Sequence, residues 1–258
     1  MKTKSLGFIG GGRITKILLQ AFANKHADFK SVSVYDTNLE VLSALKKQFP
    51  SILTVDSASL AAKQDIIFIS LHPPVILDTL EKIQNDVSQR STIISLAPKI
   101  SIEKIITKLS QVKRIARVIP NATSYINEGY NPVCFMKEFP DSDKQVLLNM
   151  LELLGHTFEV AEYKLEGYAI MSAMLPTYFW FQWKELQSIG IQIGLDEKEC
   201  KDSIQKTLNA SLNLMYKSGL TAIEVMDLIP VKPMSEHETQ IRDCFKSKLL
   251  PLFEKIKP

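Results

Sequence analysis

The sequence LGFIGGGRITKILLQAF, residues 6–22, joins a short apolar run to a glycine turn and then to a helical pattern. Strand, glycine turn and helix form the setting in which a G-x-G-x-x-G motif indicates dinucleotide binding. Here Gly10 would make the tight turn, and Gly12 would let a pyrophosphate approach the backbone. The first N–H groups of the helix, from Arg13 and Ile14, would point at the phosphates. The alternative is a turn that needs glycine for backbone reasons alone.

Two further residues qualify this motif. Thr15 occupies the third motif position, where glycine or alanine usually lets the helix pack closely on the strand. Asp36 ends the second predicted strand, and a carboxylate there accepts hydrogen bonds from ribose and disfavours a 2′-phosphate. Thr37 and Asn38 follow it without an arginine, so the sequence favours NAD(H) over NADP(H). The alternative is that Asp36 only forms a turn.

Composition and charge are those of an ordinary globular protein. The 258 residues are 45% hydrophobic and 23% charged, and the net charge of +3 gives no argument for a nucleic acid or membrane partner. The chain starts without a signal peptide pattern, and no apolar run approaches the ~20 residues of a membrane span. The three cysteines are odd in number and far apart, which favours a reducing compartment, the cytoplasm. No cysteine or histidine pair has metal-ligand spacing, so no metal site is predicted.

Strand and helix patterns alternate up to residue 161. This alternation predicts an α/β fold of the Rossmann type, a doubly wound, largely parallel sheet with helices on both faces. The predicted strands cover residues 6–9, 31–35, 52–55, 66–71, 92–96, 115–119, 132–136 and 157–161. The predicted helices between them cover residues 14–22, 38–49, 57–63, 73–83, 101–109 and 141–154.

No strand pattern appears after residue 162. One long helix is predicted over residues 165–189, bent or broken at Pro176, and its apolar residues lie all round it, as in a helix buried on all sides. Three capping boxes predict the later helix starts, at Asp196 with Glu199, Thr221 with Glu224, and Ser235 with Glu238, and Pro251 is expected to interrupt the last helix. The chain therefore divides into a dinucleotide-binding domain, 1–161, and a smaller all-α domain, 162–258.

The first domain resembles the pyrroline-5-carboxylate reductase family in four motifs, whose order and spacing agree over about 160 residues. The matching stretches are GFIGGGRIT at 7–15 for G-F-I-G-x-G-x-M-A, Leu71-His72-Pro73 for V-K-P, Ala97-Pro98-Lys99-Ile100 for A-x-G-I, and Arg117-Val118-Ile119-Pro120-Asn121 for R-x-M-P-N. The resemblance implies a nicotinamide cofactor and a role in proline biosynthesis.

The glycine motif and the resemblance together give a set of candidate cofactor contacts. They are Gly10, Gly12, Arg13, Ile14, Asp36, Thr37, Asn38, Ser57, Leu71, His72, Pro73, Ala97 and Asn121. His72 stands where the family has lysine, and Asn121 matches the family's asparagine at the end of a strand; these two are the catalytic candidates. The alternatives are that Ser57 only caps a helix and that His72 only ends a strand.

The second domain keeps less of the family pattern. The S-G-S-G-P-A-Y loop is represented by SAMLPTY at 172–178, which makes Ser172, Thr177 and Tyr178 candidate substrate contacts, although Tyr178 also fits a core position. The T-S-P-G-G-T-T loop, which in the family holds the substrate carboxylate, is absent in either possible register. Lys232 and His237 are the nearest ionisable candidates for substrate binding. Two glutamates beside them, Glu236 and Glu238, would repel an anion.

These observations predict an NAD(P)-dependent reductase of a small imine or carbonyl compound. One alternative is an NADP oxidoreductase of the deazaflavin-dependent or hydroxyacid dehydrogenase branch, although Lys184 is followed four residues later by Ser188 and not by the asparagine of the hydroxyacid pattern. Another is a non-catalytic nucleotide-binding protein. The apolar long helix, and the resemblance, predict a two-fold homodimer with the site between one cofactor domain and the helical domains.

Overall fold

The structure, a computed structural model, describes residues 2–258 and confirms the doubly wound sheet. Eight strands lie in the order β3-β2-β1-β4-β5-β6-β7-β8, and every neighbouring pair is parallel except β6 with β7. The strands are β1 Ser5–Ile9, β2 Ser31–Tyr35, β3 Leu53–Thr54, β4 Ile66–Ile69, β5 Thr92–Ser95, β6 Ile115–Val118, β7 Gly129–Phe135 and β8 Gly155–Glu159.

Helices follow most of the strands and cover both faces of the sheet. They are α1 Arg13–Asn24, α2 Leu39–Gln48, α3 Ala58–Ala62, α4 Pro73–Ile83, α5 Ile102–Ile106, α6 Asp141–Leu151, α7 Leu165–Tyr168, α8 Trp180–Gln192, α9 Glu197–Lys217, α10 Ala222–Asp227 and α11 Glu238–Ile256. The rings of Phe8 and Phe68 stack 4.6 Å apart on one face, and Ile9 and Ile69 join the core on the other. Burial on both faces is why these strands are apolar without alternation.

By internal contacts the chain forms two compact units. The first comprises the residues up to Ala173 together with Phe253–Pro258, and the second is Met174–Leu252. The first unit holds the whole sheet and α7. The functional division at residue 161, into a cofactor domain and a dimerisation and substrate domain, stays a prediction.

The helix predicted over residues 165–189, bent or broken at Pro176, is indeed broken, and the break begins before the proline. α7 ends at Tyr168, a π-helical turn covers Ala169–Ala173, and a 3-10 turn covers Leu175–Tyr178 before α8 begins. Pro176 lies in that 3-10 turn, where its missing N–H costs least. A single chain does not bury α8 on all sides, since Phe181 is 68% exposed, and burial of this helix in a dimer stays a prediction.

Two of the three predicted capping boxes are confirmed, at Asp196 and at Thr221. The third is wrong, because Ser235 opens a short 3-10 turn and Glu238 is already the first residue of α11. Glu238 instead accepts a hydrogen bond from Nε of Arg242, one turn later, at 2.9 Å. Pro251 does not interrupt α11, which continues to Ile256; half-buried apolar side chains on its last turns offset the missing hydrogen bond.

No helix within residues 2–258 is long and apolar enough to cross a membrane. The same residues contain no cluster of three or more histidine, cysteine, aspartate or glutamate side chains that could hold a metal ion.

Candidate cofactor site

Gly10 and Gly12 have different roles in the turn between β1 and α1. Gly10 has φ +104°, and a Cβ there would lie 2.4 Å from the carbonyl oxygen of Ser70, so the fold itself requires glycine. Gly12 precedes α1 in extended backbone, and a Cβ there would meet no atom within 4 Å. The open space beside Gly12 therefore lies in front of the helix N-terminus, whose first N–H groups have no intrahelical partners.

Thr15 fits the third motif position through its hydroxyl. The side chain is fully buried, and Oγ1 donates a 2.6 Å hydrogen bond to the carbonyl oxygen of Gly10. Thr15, which replaces the usual glycine or alanine, thus stabilises the preceding glycine turn.

Asp36 ties the same turn to the end of β2. Its Oδ2 accepts a 2.7 Å hydrogen bond from the N–H of Gly11, and its Oδ1 accepts one of 2.8 Å from the N–H of Asn38. The side chain of Asn38 caps α2, and Thr37 between them is exposed. Asp36 therefore does form the turn, and its contact with ribose stays a prediction.

A cavity of about 740 Å³ opens beside these turns, at the carboxyl ends of β1, β4 and β5. The strand order reverses between β1 and β4, and ligands of open α/β sheets bind outside the strand ends at such a point. Seven predicted cofactor contacts line the cavity, namely Gly12, Arg13, Ile14, Leu71, His72, Pro73 and Ala97. Nine residues without a predicted role also line it, namely Gly11, Lys16, Val41, Ala44, Leu45, Gln48, Ser70, Leu96 and Pro98.

The cavity walls offer polar groups that the fold does not use. The buried Oγ of Ser70 has no hydrogen-bond partner among the described residues. His72 is exposed in the wall just before α4, and its side chain makes no capping bond. Ser57 occupies the N-cap position of α3, as the alternative interpretation expects, but its hydroxyl makes no capping hydrogen bond.

Asn121 and Ser172 are brought together, but they are buried and hydrogen-bonded to one another. Nδ2 of Asn121 donates to the carbonyl oxygen of Ser172 at 2.9 Å and to its Oγ at 3.1 Å, and Oδ1 accepts from the N–H of Thr123. Oγ of Ser172 donates to the carbonyl oxygen of Tyr130 at 2.9 Å. These bonds join the end of β6 to the π-helical turn, and the roles predicted for both residues remain predictions.

A buried ion-pair cluster lies under the cavity wall, and sequence analysis assigned it no role. Arg117 is fully buried in β6; its Nη2 lies 2.5 Å from Oε1 of Glu166 and its Nη1 lies 2.9 Å from Oε1 of Glu162. Nη2 also donates to the carbonyl oxygen of Ala97 at 3.5 Å. The sequence signals for this cluster were the arginine inside the apolar strand sequence IARV and its place in the stretch matched to R-x-M-P-N, and neither indicates its glutamate partners.

A family model described as NADP oxidoreductase coenzyme F420-dependent matches residues 5–99. The pyrroline-5-carboxylate reductase of Corynebacterium melassecola is 22% identical over 83% of this chain and 81% of its own length, and that of Staphylococcus saprophyticus is 21% identical over 94% of both. The chain is thus similar to pyrroline-5-carboxylate reductases over most of its length.

Solved structures agree with this relationship in fold. The crystal structure of Plasmodium falciparum pyrroline carboxylate reductase with NADP bound has a TM-score of 0.80 at 22% identity, covering 99% of this chain and 96% of that one. The Streptococcus pyogenes 1-pyrroline-5-carboxylate reductase has a TM-score of 0.77 at 16% identity, covering 99% and 97%.

The other predicted substrate contacts lie in the second unit. Thr177 donates its hydroxyl to the carbonyl oxygen of Met174, and the ring of Tyr178 packs edge-on against Phe245 at 6.1 Å, where burial raises the pKa of its phenol. Lys232 borders a depression of about 580 Å³ that also includes Phe245. His237 is exposed, and its Nε2 lies 3.4 Å from Oε1 of Glu236. His237 does not line this depression.

Proposed function

We propose that this chain is an NAD(P)-dependent reductase of a small imine or carbonyl compound. The observation that carries the proposal is the cavity at the strand reversal, with open space at Gly12 in front of the α1 N-terminus. A pyrophosphate there meets unpaired N–H groups and the favourable end of the helix dipole, and Arg13 and Lys16 add positive charge at the rim. The names of the relatives support the reaction class.

The chain's own residues would hold the cofactor and prepare the reaction. The nicotinamide would supply the hydride. Leu71, Pro73 and Ala97 would line the cavity beyond the phosphates, and the unpaired hydroxyl of Ser70 offers a hydrogen bond there. His72 would hold a proton at the cavity wall as the general acid. Asn121 would act indirectly, because its side chain is hydrogen-bonded to Ser172 and holds the two segments together.

The test is cofactor oxidation with a panel of cyclic imines, 2-oxo acids and a deazaflavin. We expect turnover, but with pyrroline-5-carboxylate about a hundredfold slower than with a larger, less acidic imine, because misplaced donors to a substrate anion typically cost that much. Pro230 and Pro233 stand in the region of the lost loop without N–H groups, and Glu236 and Glu238 add negative charge.

Two outcomes of this panel would contradict the proposed function, and a third would contradict only the expected weak turnover of pyrroline-5-carboxylate. No oxidation with any compound, despite cofactor binding, would indicate a non-catalytic nucleotide-binding protein. Transfer only to a deazaflavin would favour the branch named by the family model. A specificity constant of ~10⁵ M⁻¹s⁻¹ or above for pyrroline-5-carboxylate would show that the lost loop is not needed.

We propose NAD(H) as the preferred cofactor because the Asp36 carboxylate stands at the end of β2 and Thr37 and Asn38 carry no charge. Titration with NADH and NADPH, followed by the quenching of protein fluorescence, should give the lower Kd for NADH. Tighter binding of NADPH would contradict this preference. Arg13 and Lys16, which line the cavity, would then be the candidates for binding the 2′-phosphate.

We also propose a homodimer formed through the helices of the second unit. A single chain exposes large apolar side chains there, among them Phe181, Ile193, Tyr216, Ile223 and Val231, each at least 68% exposed. Large contiguous apolar surfaces are rare on monomers, and the dimer would cover these side chains. Light scattering at micromolar concentration should give twice the chain mass, and Phe181→Glu should lower it while Lys47→Glu in the first unit should not. A monomeric wild type would contradict the proposal.

Finally, we propose a reducing compartment, the cytoplasm. Cys134, Cys200 and Cys244 are all free thiols. Burial, reinforced by the nearby Glu162 carboxylate, raises the pKa of Cys134 to about 12, so this thiol stays neutral and serves packing.

A further inference from the structure

The segment that follows β5 forms one wall of the cavity and ends in a strained residue. Leu96, Ala97 and Pro98 line the cavity, and Lys99 after them has φ +74°. The related A-x-G-I motif has glycine at this position, where a positive φ carries no steric cost. A lysine in this conformation persists only where its surroundings hold it.

The contact that holds Lys99 comes from the buried ion-pair cluster. Oε1 of Glu166 accepts a hydrogen bond from the N–H of Lys99 at 3.2 Å and lies 2.5 Å from Nη2 of Arg117. The same Nη2 donates to the carbonyl oxygen of Ala97. Glu166 is only 1% exposed, so water does not compete for this carboxylate. The pair therefore holds the segment through two hydrogen bonds, one to the carbonyl oxygen of Ala97 and one from the N–H of Lys99.

We propose that Glu166, oriented by Arg117, is a positioning residue for the cofactor. It fixes the left-handed backbone at Lys99 and thereby sets where Ala97 and Pro98 meet the cofactor. The inference rests on the proposed function, because it assigns the cavity to NAD(P)H. Glu166 itself lines no part of the cavity and acts through the segment that it holds.

Glu162 supplies a matched comparison inside the same cluster. Its Oε1 lies 2.9 Å from Nη1 of Arg117 and accepts a 2.7 Å hydrogen bond from the N–H of Ile102. It thus pairs with the same arginine but holds the start of α5, and no hydrogen bond joins it to Ala97 or Lys99 in the described residues. The Glu162 side chain is 35% exposed and that of Glu166 is 1% exposed, so thermal unfolding of both variants is needed to separate a loss of stability from positioning of the cavity wall, which requires Glu166.

The experiment compares Glu166→Gln with Glu162→Gln by titration with NADH and NADPH and by amide hydrogen exchange. Glu166→Gln should raise the cofactor Kd about tenfold and speed exchange at the Lys99 amide, because the acceptor of its hydrogen bond loses its charge and its ion pair with Arg117. Glu162→Gln should change the Kd less than about threefold. Adding Lys99→Gly to Glu166→Gln should restore the Kd to within about threefold of wild type, because glycine needs no restraint at positive φ.

Equal effects of the two glutamate variants, or no rescue by Lys99→Gly, would overturn the inference. If Glu166→Gln does not fold, Glu166→Asp, which keeps the charge but shortens the reach, takes its place with the same expectations. A wild type that binds neither cofactor would contradict the proposed function instead. Amide exchange at Lys99 would then still decide whether Glu166 holds this segment, since unchanged exchange in Glu166→Gln overturns the inference by itself.

Discussion

Gly12→Val is expected to weaken NAD(P)H binding about a thousandfold while leaving the fold intact. The backbone at Gly12 is extended, with φ −68° and ψ −165°, which valine adopts readily, and a Cβ there meets no atom within 4 Å. The added side chain would therefore occupy the space in front of α1 that a pyrophosphate needs. Losing two hydrogen bonds to a charged phosphate costs about 3–6 kcal/mol. Fluorescence titration gives the Kd, and thermal unfolding checks the fold.

Gly167→Val is the matched control for this variant. A Cβ at Gly167 also meets no atom within 4 Å, but this residue lies in α7 and does not line the cavity. Cofactor binding by Gly167→Val should stay within about threefold of wild type. If Gly12→Val bound the cofactor as tightly as wild type, the glycine turn would not be the phosphate site.

Arg117→Met is expected to lower the free energy of unfolding by about 3–5 kcal/mol. Methionine fills a similar volume, but it leaves the carboxylate of Glu166 buried without its partner. The cost of an uncompensated buried charge is much larger than the net worth of the pair itself. Urea denaturation of both proteins measures the difference.

Two controls separate this charge effect from simple truncation. Arg117→Met combined with Glu166→Met should recover most of the loss, because replacing both members of a buried pair by apolar residues is often neutral. Arg242→Met breaks a pair with Glu238 whose side chains are both more than half exposed, and it should cost no more than about 1 kcal/mol. A double variant no more stable than Arg117→Met would contradict the explanation.

The sequence predicted most reliably what short-range patterns determine. β1, the glycine turn and α1 follow from consecutive residues, and the capping boxes at Asp196 and Thr221 follow from a spacing of three. The failed capping box at Ser235 shows the limit, because Glu238 is placed to pair with Arg242 on its own helix. A helix with apolar residues on all sides can be buried inside its own chain or left exposed by it. The sequence pattern is the same in both cases, and α8 is of the exposed kind.

Parts of the site were missed because their contacts are distant in sequence. Glu166 is 49 residues from Arg117, and no local pattern relates them. The α2 residues in the cavity, such as Val41 and Leu45, carry the same apolar spacing as core residues. The position of Asp36 predicts a hydrogen-bond acceptor for ribose. Its hydrogen bond with the N–H of Gly11 could not be predicted, because it depends on how two loops meet.

The first compact unit is discontinuous, and this affects how the protein can be made. The ribosome delivers the sheet and α7 first, then all of Met174–Leu252, and only afterwards Phe253–Pro258, which belong to the sheet's unit. Ile256 packs against one of the two cores of that unit. During synthesis, part of this core therefore stays uncovered until the second unit has been translated. A chaperone that shields apolar surface would have its longest opportunity to bind in this interval.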